Sequence, residues 1–259
     1  AVGEPQQRFT EDALRILRLY RFAARFGFSI DPPTAQAAQE LCAHLDCVSV
    51  ERIEEELAKL LSAPAPAAYL DEKILGVVLP ELSPEALAAA KPVVDACPAG
   101  EQALPVRLAA LLLSLGEDGT RRTLRRLRCS NACIEETAVL VREVVPGVPV
   151  SLNIYARKLL GKYNLCTVQR LAALGTALQP ERSADFAALS ELAERLDADG
   201  VCCRVSQLAV NGRDLMAAGV PAGPGIRKVL EALLDGVIRE EYPNERQALL
   251  AAVQQLAAS

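Results

Sequence analysis

Near the start of the chain, Glu11, Asp12, Arg15, Arg18 and Arg21 fall within eleven residues, with Arg8 just ahead of them. Two kinds of chemistry fit this spacing. In the first, Glu11 and Asp12 complement a helix dipole in its first turn and pair with Arg15 and Arg18, at about 0.2–0.5 kcal/mol per pair. In the second, Asp12 accepts a hydrogen bond from the exocyclic amino group of a nucleobase while Arg15 donates to the neighbouring ring nitrogen. Cytosine and adenine both present an amino group beside an acceptor nitrogen. Uracil and guanine put a carbonyl in its place, which would leave buried polar groups unpaired at about 1–3 kcal/mol each. One Asp/Arg pair could therefore accept C and A and reject U and G.

The element that must position these residues is a helix predicted over Glu11–Phe26. Its apolar stripe is Ala13, Ile16, Leu17, Tyr20 and Ala24, which leaves Asp12, Arg15 and Arg18 at three-residue steps on another face. Apolar positions recur at three- and four-residue spacing along the rest of the chain, so the expected class is all-α. Further helices are expected over Pro33–Leu45, Glu51–Leu61, Ala65–Ile74, Leu104–Leu115, Thr120–Arg128 and Asn131–Val144. Thr10, Ser49 and Asn244 are the expected caps, Asn244 with Gln247 in capping-box spacing. Breaks richer in Pro and Gly fall at Cys97–Gly100, Val145–Val150 and Val220–Gly225.

Composition narrows the function classes. The chain has 259 residues, 51% of them hydrophobic, enough for two to three helical units. Its longest apolar runs, such as Leu108–Leu115, stop short of the roughly 18 residues of a membrane span, and no charged-then-apolar leader opens the sequence. Eight cysteines without a CxxC pair read as reduced thiols, mostly small core residues, so a soluble cytoplasmic protein is expected. The single histidine, His44, has no second ligand nearby and reads as structural, which leaves no zinc cluster or His-dependent triad. Net charge is −5, yet 22 of the 28 basic residues are arginine, the planar fork suited to phosphates and base edges. They gather as Arg8, Arg15, Arg18, Arg21 and Arg25; as Arg121, Arg122, Arg125, Arg126 and Arg128; and, more sparsely, as Arg204, Arg213, Arg227 and Lys228. Each group is either a solvated helix face or a phosphate-binding surface.

Arg8-Phe9, Glu11-Asp12-Ala13-Leu14-Arg15, Arg18, Arg21-Phe22-Ala23-Ala24 and Phe26-Gly27-Phe28 together resemble the nucleotide-selecting motif of bacterial CCA-adding tRNA nucleotidyltransferases and their poly(A) polymerase relatives. Val48-Ser49-Val50-Glu51-Arg52-Ile53 with Glu55-Glu56-Leu57 is similar to the next motif of that family, and Leu75–Leu82 to the end of its neck region. Asn211-Gly212-Arg213-Asp214-Leu215 and Gly223-Pro224-Gly225-Ile226-Arg227-Lys228 resemble the tail of the CCA-adding branch. Residues 99–206 carry the resemblance weakly.

The resemblance implies base recognition by Asp12 and Arg15, contacts from Arg18 and Arg21 to the incoming nucleotide, and a part for Glu11 in the same motif. Arg8, Arg52 and Glu56 are implied supports, and the four-residue spacing of Arg52 and Glu56 also allows them to pair with each other. It divides the chain into a neck (1–97), a helical body (98–204) and a tRNA-binding tail (205–259). The implied partners are tRNA, CTP and ATP, with no membrane. Arg121, Arg125 and Arg128 in the body and Arg213, Gly225, Arg227 and Lys228 in the tail are candidate tRNA contacts, the Gly-rich helix entry offering backbone N–H groups to a phosphate. The family's metal-binding constellation, a Gly-rich turn with an Arg-Asp pair and a nearby Asp-x-Asp, is not matched as a unit. The expectation is a portion of a longer enzyme, with no catalytic residues and no metal site of its own, inactive alone, with Mg2+ bound in a separate head. Poly(A) addition, CC- or A-only addition, and a helical scaffold whose arginines bind partner carboxylates are the alternatives.

Overall fold

Apolar residues at helical spacing carry helices through nearly the whole chain. The computed structural model describes residues 3–144 and 151–258, and among them there are fifteen α-helices and no strand, the expected all-α class. The helices are α1 (Pro5–Glu11), α2 (Leu14–Phe26), α3 (Pro32–Glu40), α4 (Val50–Leu61), α5 (Glu72–Val78), α6 (Pro84–Ala96), α7 (Leu104–Leu112), α8 (Gly116–Arg126) and α9 (Asn131–Glu143). They continue as α10 (Leu152–Lys162), α11 (Leu165–Leu178), α12 (Ser183–Ala198), α13 (Gly212–Ala217), α14 (Gly225–Ile238) and α15 (Arg246–Ala258). Two compact units result: one from Ala1–Pro146 and Arg170–Ser183, the other from Gly147–Gln169 and Ala184–Ser259. The Val145–Val150 break lies outside the described residues.

In the first unit α2 packs on α4, and α7 packs on α6, α8 and α9. The α2 stripe is buried as its spacing requires: Leu14, Ile16, Leu17, Tyr20, Ala23 and Ala24 all face the core. Gly27, at φ 67°, ends α2 in the left-handed conformation that glycine adopts without strain, and Phe28 N donates back to Ala23 O at 3.0 Å. Arg107 on α7 is fully buried. Its guanidinium donates to the carbonyls of Leu61 at 2.5 Å, Pro98 at 2.7 Å, Cys97 at 3.1 Å and Pro64 at 3.3 Å, and to that of Ala63. It thereby fastens the end of α4 to the Cys97–Gly100 break, and burial pulls its pKa below the usual arginine value.

Several helix ends differ from expectation. The continuous first helix is divided at Asp12. Thr10 lies inside α1, where its hydroxyl donates to Gln6 O at 2.8 Å instead of capping. Ser49 stands at the start of α4, but only its backbone carbonyl is engaged, by Arg52 N and Ile53 N. The helix expected over Ala65–Ile74 does not form as one element: a short 3₁₀ turn follows Pro66 and precedes α5, which Asp71 starts by accepting from Lys73 N and Ile74 N.

The second unit buries Val210, Leu215, Leu233, Val237, Leu249, Ala252 and Val253 together. A Cβ on Gly236 would stand 2.1 Å from the Tyr242 hydroxyl, so α14 needs glycine there. Asn211 and Asp214 form a capping box at the start of α13. Asn244 does not cap α15. Its side chain accepts from Ala209 N and donates to Gln207 O, both at 2.9 Å, because the loop before α13 runs alongside it.

Candidate functional site

The break between α1 and α2 is made by Asp12. Its backbone is extended (φ −152°, ψ 100°), and its Oδ1 accepts from Leu14 N at 3.2 Å, the local bond by which aspartate competes with a continuing helix. Asp12 therefore precedes α2 and does not share a helical face with Arg15 and Arg18. Its carboxylate is also met by Arg52 of α4, with Nη2 3.2 Å from Oδ2. On the other side of the break, Glu11 receives Arg8 and Arg15, each at 3.0 Å, and Arg15 additionally donates to Arg8 O at 3.3 Å. Arg8 and then Arg15 hold the Glu11 carboxyl below the usual carboxylate range, so it is charged at neutral pH. The Arg15 guanidinium is thus fixed at two points while its side chain stays partly exposed.

Glu56 of α4 is the buried anion beneath α2, only 4% exposed. Arg18 Nε donates to its Oε1 at 3.2 Å. Arg21 Nε lies 2.6 Å from its Oε2, but the N–H does not point along that line, so the contact is one of charge and not an aligned hydrogen bond. Arg52 and Glu56 do not pair with each other. Each reaches across to a residue of the α1–α2 segment, because α2 lays charged groups against the same face of α4.

Arg8, Arg15 and Arg18 line one cleft of about 710 Å³, together with Phe9, Phe22, Phe28, Asp31 and Thr34. Asp12, Glu11, Arg21, Arg52 and Glu56 are outside its lining. Phe22, Phe26 and Phe28 are exposed and stack in series, with centroid separations of 6.1 and 5.4 Å, and the Arg21 guanidinium sits 3.9 Å over the Phe22 ring. Sequence reasoning did not assign Phe22, Phe28, Asp31 or Thr34 to the site. The available signal was Gly27, which turns the chain so that Phe28 and the residues after it come back beside α2.

The remaining arginines are dispersed. Arg121 is drawn in by Glu117 at 3.0 Å and by Glu135, while Arg125, one turn on, is exposed and has no carboxylate at ion-pair distance among the described residues. Arg128 lies past the end of α8 at φ 57° and pairs with Glu51. In the second unit Arg213 and Lys228 are exposed, Arg227 pairs with Glu231 at 2.8 Å, and Gly225 is the first residue of α14. Gly225 lines an apolar pocket of about 610 Å³ with residues 218–224.

A family profile described as tRNA nucleotidyltransferase domain 2 matches residues 106–253, more than half of the chain. The chain belongs to the tRNA nucleotidyltransferase family. A second profile, the RNA and SrmB binding site of polymerase A, matches residues 27–85. The CCA-adding enzyme of Limosilactobacillus fermentum is 32% identical over 270 residues, covering 99% of this chain and 62% of that enzyme. That of Geobacillus stearothermophilus is 30% identical over 96% of this chain and 61% of its own length. Among solved structures, the Bacillus stearothermophilus CCA-adding enzyme in complex with CTP superposes at TM-score 0.79 and 25% identity, covering 100% of this chain and 65% of that one. The Thermotoga maritima CCA-adding enzyme complexed with tRNA shares the fold, at TM-score 0.65 and 18% identity over 97% of this chain and 63% of its own. This nucleotidyltransferase chain spans about 62% of the length of the curated relatives it matches. No helix among its described residues is long and apolar enough to cross a membrane.

Proposed function

We propose that the chain is the base-selecting and tRNA-holding part of a nucleotidyltransferase that adds CCA to tRNA 3′ ends from CTP and ATP without a nucleic-acid template. The observation that carries this reading is the Asp12 turn: an acceptor carboxylate and the Arg15 donor stand three residues apart, each anchored by protein partners, beside an arginine-lined cleft. Anchoring matters because a base edge is told apart only by groups already held in place. Asp12 accepts from the amino group of cytosine or adenine and Arg15 donates to the adjacent ring nitrogen. Arg18 and Arg21, set by Glu56, provide positive charge for the incoming nucleotide, and Glu11 and Arg8 hold Arg15. Arg121, Arg125 and Arg128 of the body and Arg213, Gly225, Arg227 and Lys228 of the tail meet tRNA phosphates, in a neck, body and tail division at 1–97, 98–204 and 205–259.

Among the described residues no group of three or more His, Cys, Asp or Glu is arranged to hold a metal ion, and no step of this proposal runs through one. Mg2+ and the transfer chemistry are assigned to the part of the longer relatives that this chain does not span, so the chain by itself is expected to be inactive. A cytoplasmic setting accords with its eight free thiols.

The experiment is a chimera in which this chain replaces the matching region of the Geobacillus stearothermophilus enzyme, assayed on tRNA lacking its CCA end. Addition of C, C and A in order, with UTP and GTP refused, is the expected outcome; no incorporation by a folded chimera that still binds tRNA counts against the reading. The polymerase A profile over residues 27–85 favours one second reading, poly(A) addition, which the same assay would reveal as a long A-only product.

A further inference from the structure

At the end of α2, in the first unit, three phenylalanines gather that the core does not use. Phe22 and Phe26 are four residues apart, so their rings share one helix face. The left-handed turn at Gly27 then brings Phe28 back beside them, its N–H donating to Ala23 O at 3.0 Å. The three residues are 44, 55 and 61% exposed. Their rings stand in series, Phe22 and Phe26 nearly parallel (6°) at 6.1 Å, Phe26 and Phe28 at 28° and 5.4 Å. Among the described residues only Met216 is another large apolar side chain this exposed, and it lies in the second unit. Exposed apolar surface is therefore concentrated here, as at a binding face.

The surroundings of the rings are cationic. α2 carries Arg15, Arg18, Arg21 and Arg25 and no carboxylate of its own. The Arg21 guanidinium sits 3.9 Å from the Phe22 centroid and that of Arg25 lies 5.7 Å from the Phe26 centroid. Arg25 is exposed and has no carboxylate at ion-pair distance among the described residues. Phe22 and Phe28 also line the cleft shared by Arg8, Arg15 and Arg18, where the one lining carboxylate, Asp31, is engaged by Thr34 N at 3.2 Å and the Thr34 hydroxyl at 3.0 Å. An apolar protein surface laid on this face would strip water from the guanidiniums and give nothing back. An unpaired nucleotide satisfies both features, since its base stacks on a ring while its phosphate accepts from a guanidinium.

We propose that Phe22, Phe26 and Phe28 form a stacking platform for unpaired RNA bases, with Arg25 and the arginines of the cleft taking the phosphates. Phenylalanine rings offer neither donor nor acceptor to a base edge, so the platform accepts any base and recognises that the strand is single, not its sequence. A base pair buries the same π-faces within its own helix and cannot use the rings. This goes beyond the reading of Asp12 and Arg15 as base selectors: the platform holds a strand that already exists, whichever nucleotide is added next.

The test is a titration of the whole chain into an oligo(A) RNA of about eight nucleotides carrying one central 2-aminopurine, whose emission falls on stacking. The chain has no tryptophan to interfere. The expected result is saturable quenching, reversed by unlabelled oligo(A) and oligo(C) with affinities within about threefold of each other, and poorly by an RNA duplex of the same length. Phe22→Leu, Phe26→Leu and Phe28→Leu together keep an apolar surface without the π-faces, and should bind about tenfold more weakly and lose the quenching. Phe22→Tyr, Phe26→Tyr and Phe28→Tyr together should keep both. Arg25→Ala should retain the quenching and lower the salt-dependence slope by about 0.7. No binding by the unaltered chain, preference for the duplex, or equal affinity and quenching after the leucine changes would overturn the proposal. So would self-association of the unaltered chain in sedimentation that the leucine changes abolish, since a second copy would then cover the rings. None of these readouts involves nucleotide transfer, so the platform and the base-selecting reading can fail separately.

Discussion

Asp12 and Arg52 are joined across the α1–α2 break: Arg52 Nη2 lies 3.2 Å from Asp12 Oδ2, while Asp12 Oδ1 receives the Leu14 N–H that begins α2. One carboxylate thus serves the backbone, the neighbouring helix and, in the proposed function, a base.

Arg52→Ala is expected to separate these duties. The pair is half exposed, so stability should fall by less than about 1 kcal/mol in urea unfolding. In the chimera, the ratio of CTP and ATP use to UTP and GTP use should drop about tenfold, equivalent to roughly 1.4 kcal/mol of discrimination. An unchanged ratio would show that Asp12 needs no positioning from α4.

Glu56→Gln should act on the fold as well. Glu56 is 4% exposed and the Arg21 side chain 12%, so removing the anion leaves a cation poorly solvated, at about 3 kcal/mol. Arg18→Ala, at a side chain 45% exposed, should cost less than about 1 kcal/mol. Chemical denaturation of both variants checks the contrast, and equal losses would contradict it.

Much of the helical frame was legible because apolar spacing is a local signal: the α2 stripe, its end at Phe26, and the positions of α4, α7 and α9 follow from it. The break at Asp12 was not, since an aspartate beside a continuing apolar stripe looks the same whether the chain stays helical or its carboxylate takes the next N–H. Arg52 and Glu56 show a related limit. Their four-residue spacing suggests a pair on one helix, and only the approach of α2 to α4 gives each a separate partner. Arg107 reads as an ordinary helix arginine, because the carbonyls that bury it belong to the distant segments 61–64 and 97–98. Asn244 carries a cap pattern that lost to a loop brought in from residues 207–209.

The two arginines at helical spacing in α8 should differ in RNA binding. Arg125→Ala is expected to weaken tRNA binding and reduce the salt-dependence slope by about 0.7–0.9, one phosphate contact. Arg121→Ala, at a side chain already held by Glu117 and Glu135, should change the slope less. Filter binding at three salt concentrations reads both, and equal slopes for all three proteins would remove α8 from the RNA surface.

Gly236→Ala should destabilise the second unit by about 2 kcal/mol, through overpacking against Tyr242. In a Tyr242→Ala background the same substitution should cost close to nothing. Thermal unfolding of the four proteins in the cycle checks this, and additive losses would mean that Tyr242 is not the obstacle.

The central claim is that Asp12 and Arg15 read the base. The most direct measurement is nucleotide selection by the chimera carrying Asp12→Ala or Arg15→Ala, with CTP, ATP, UTP and GTP in competition on tRNA lacking CCA. The account predicts that the preference for CTP and ATP collapses in both variants while tRNA affinity stays nearly intact. Retention of the original preference by either variant would contradict it.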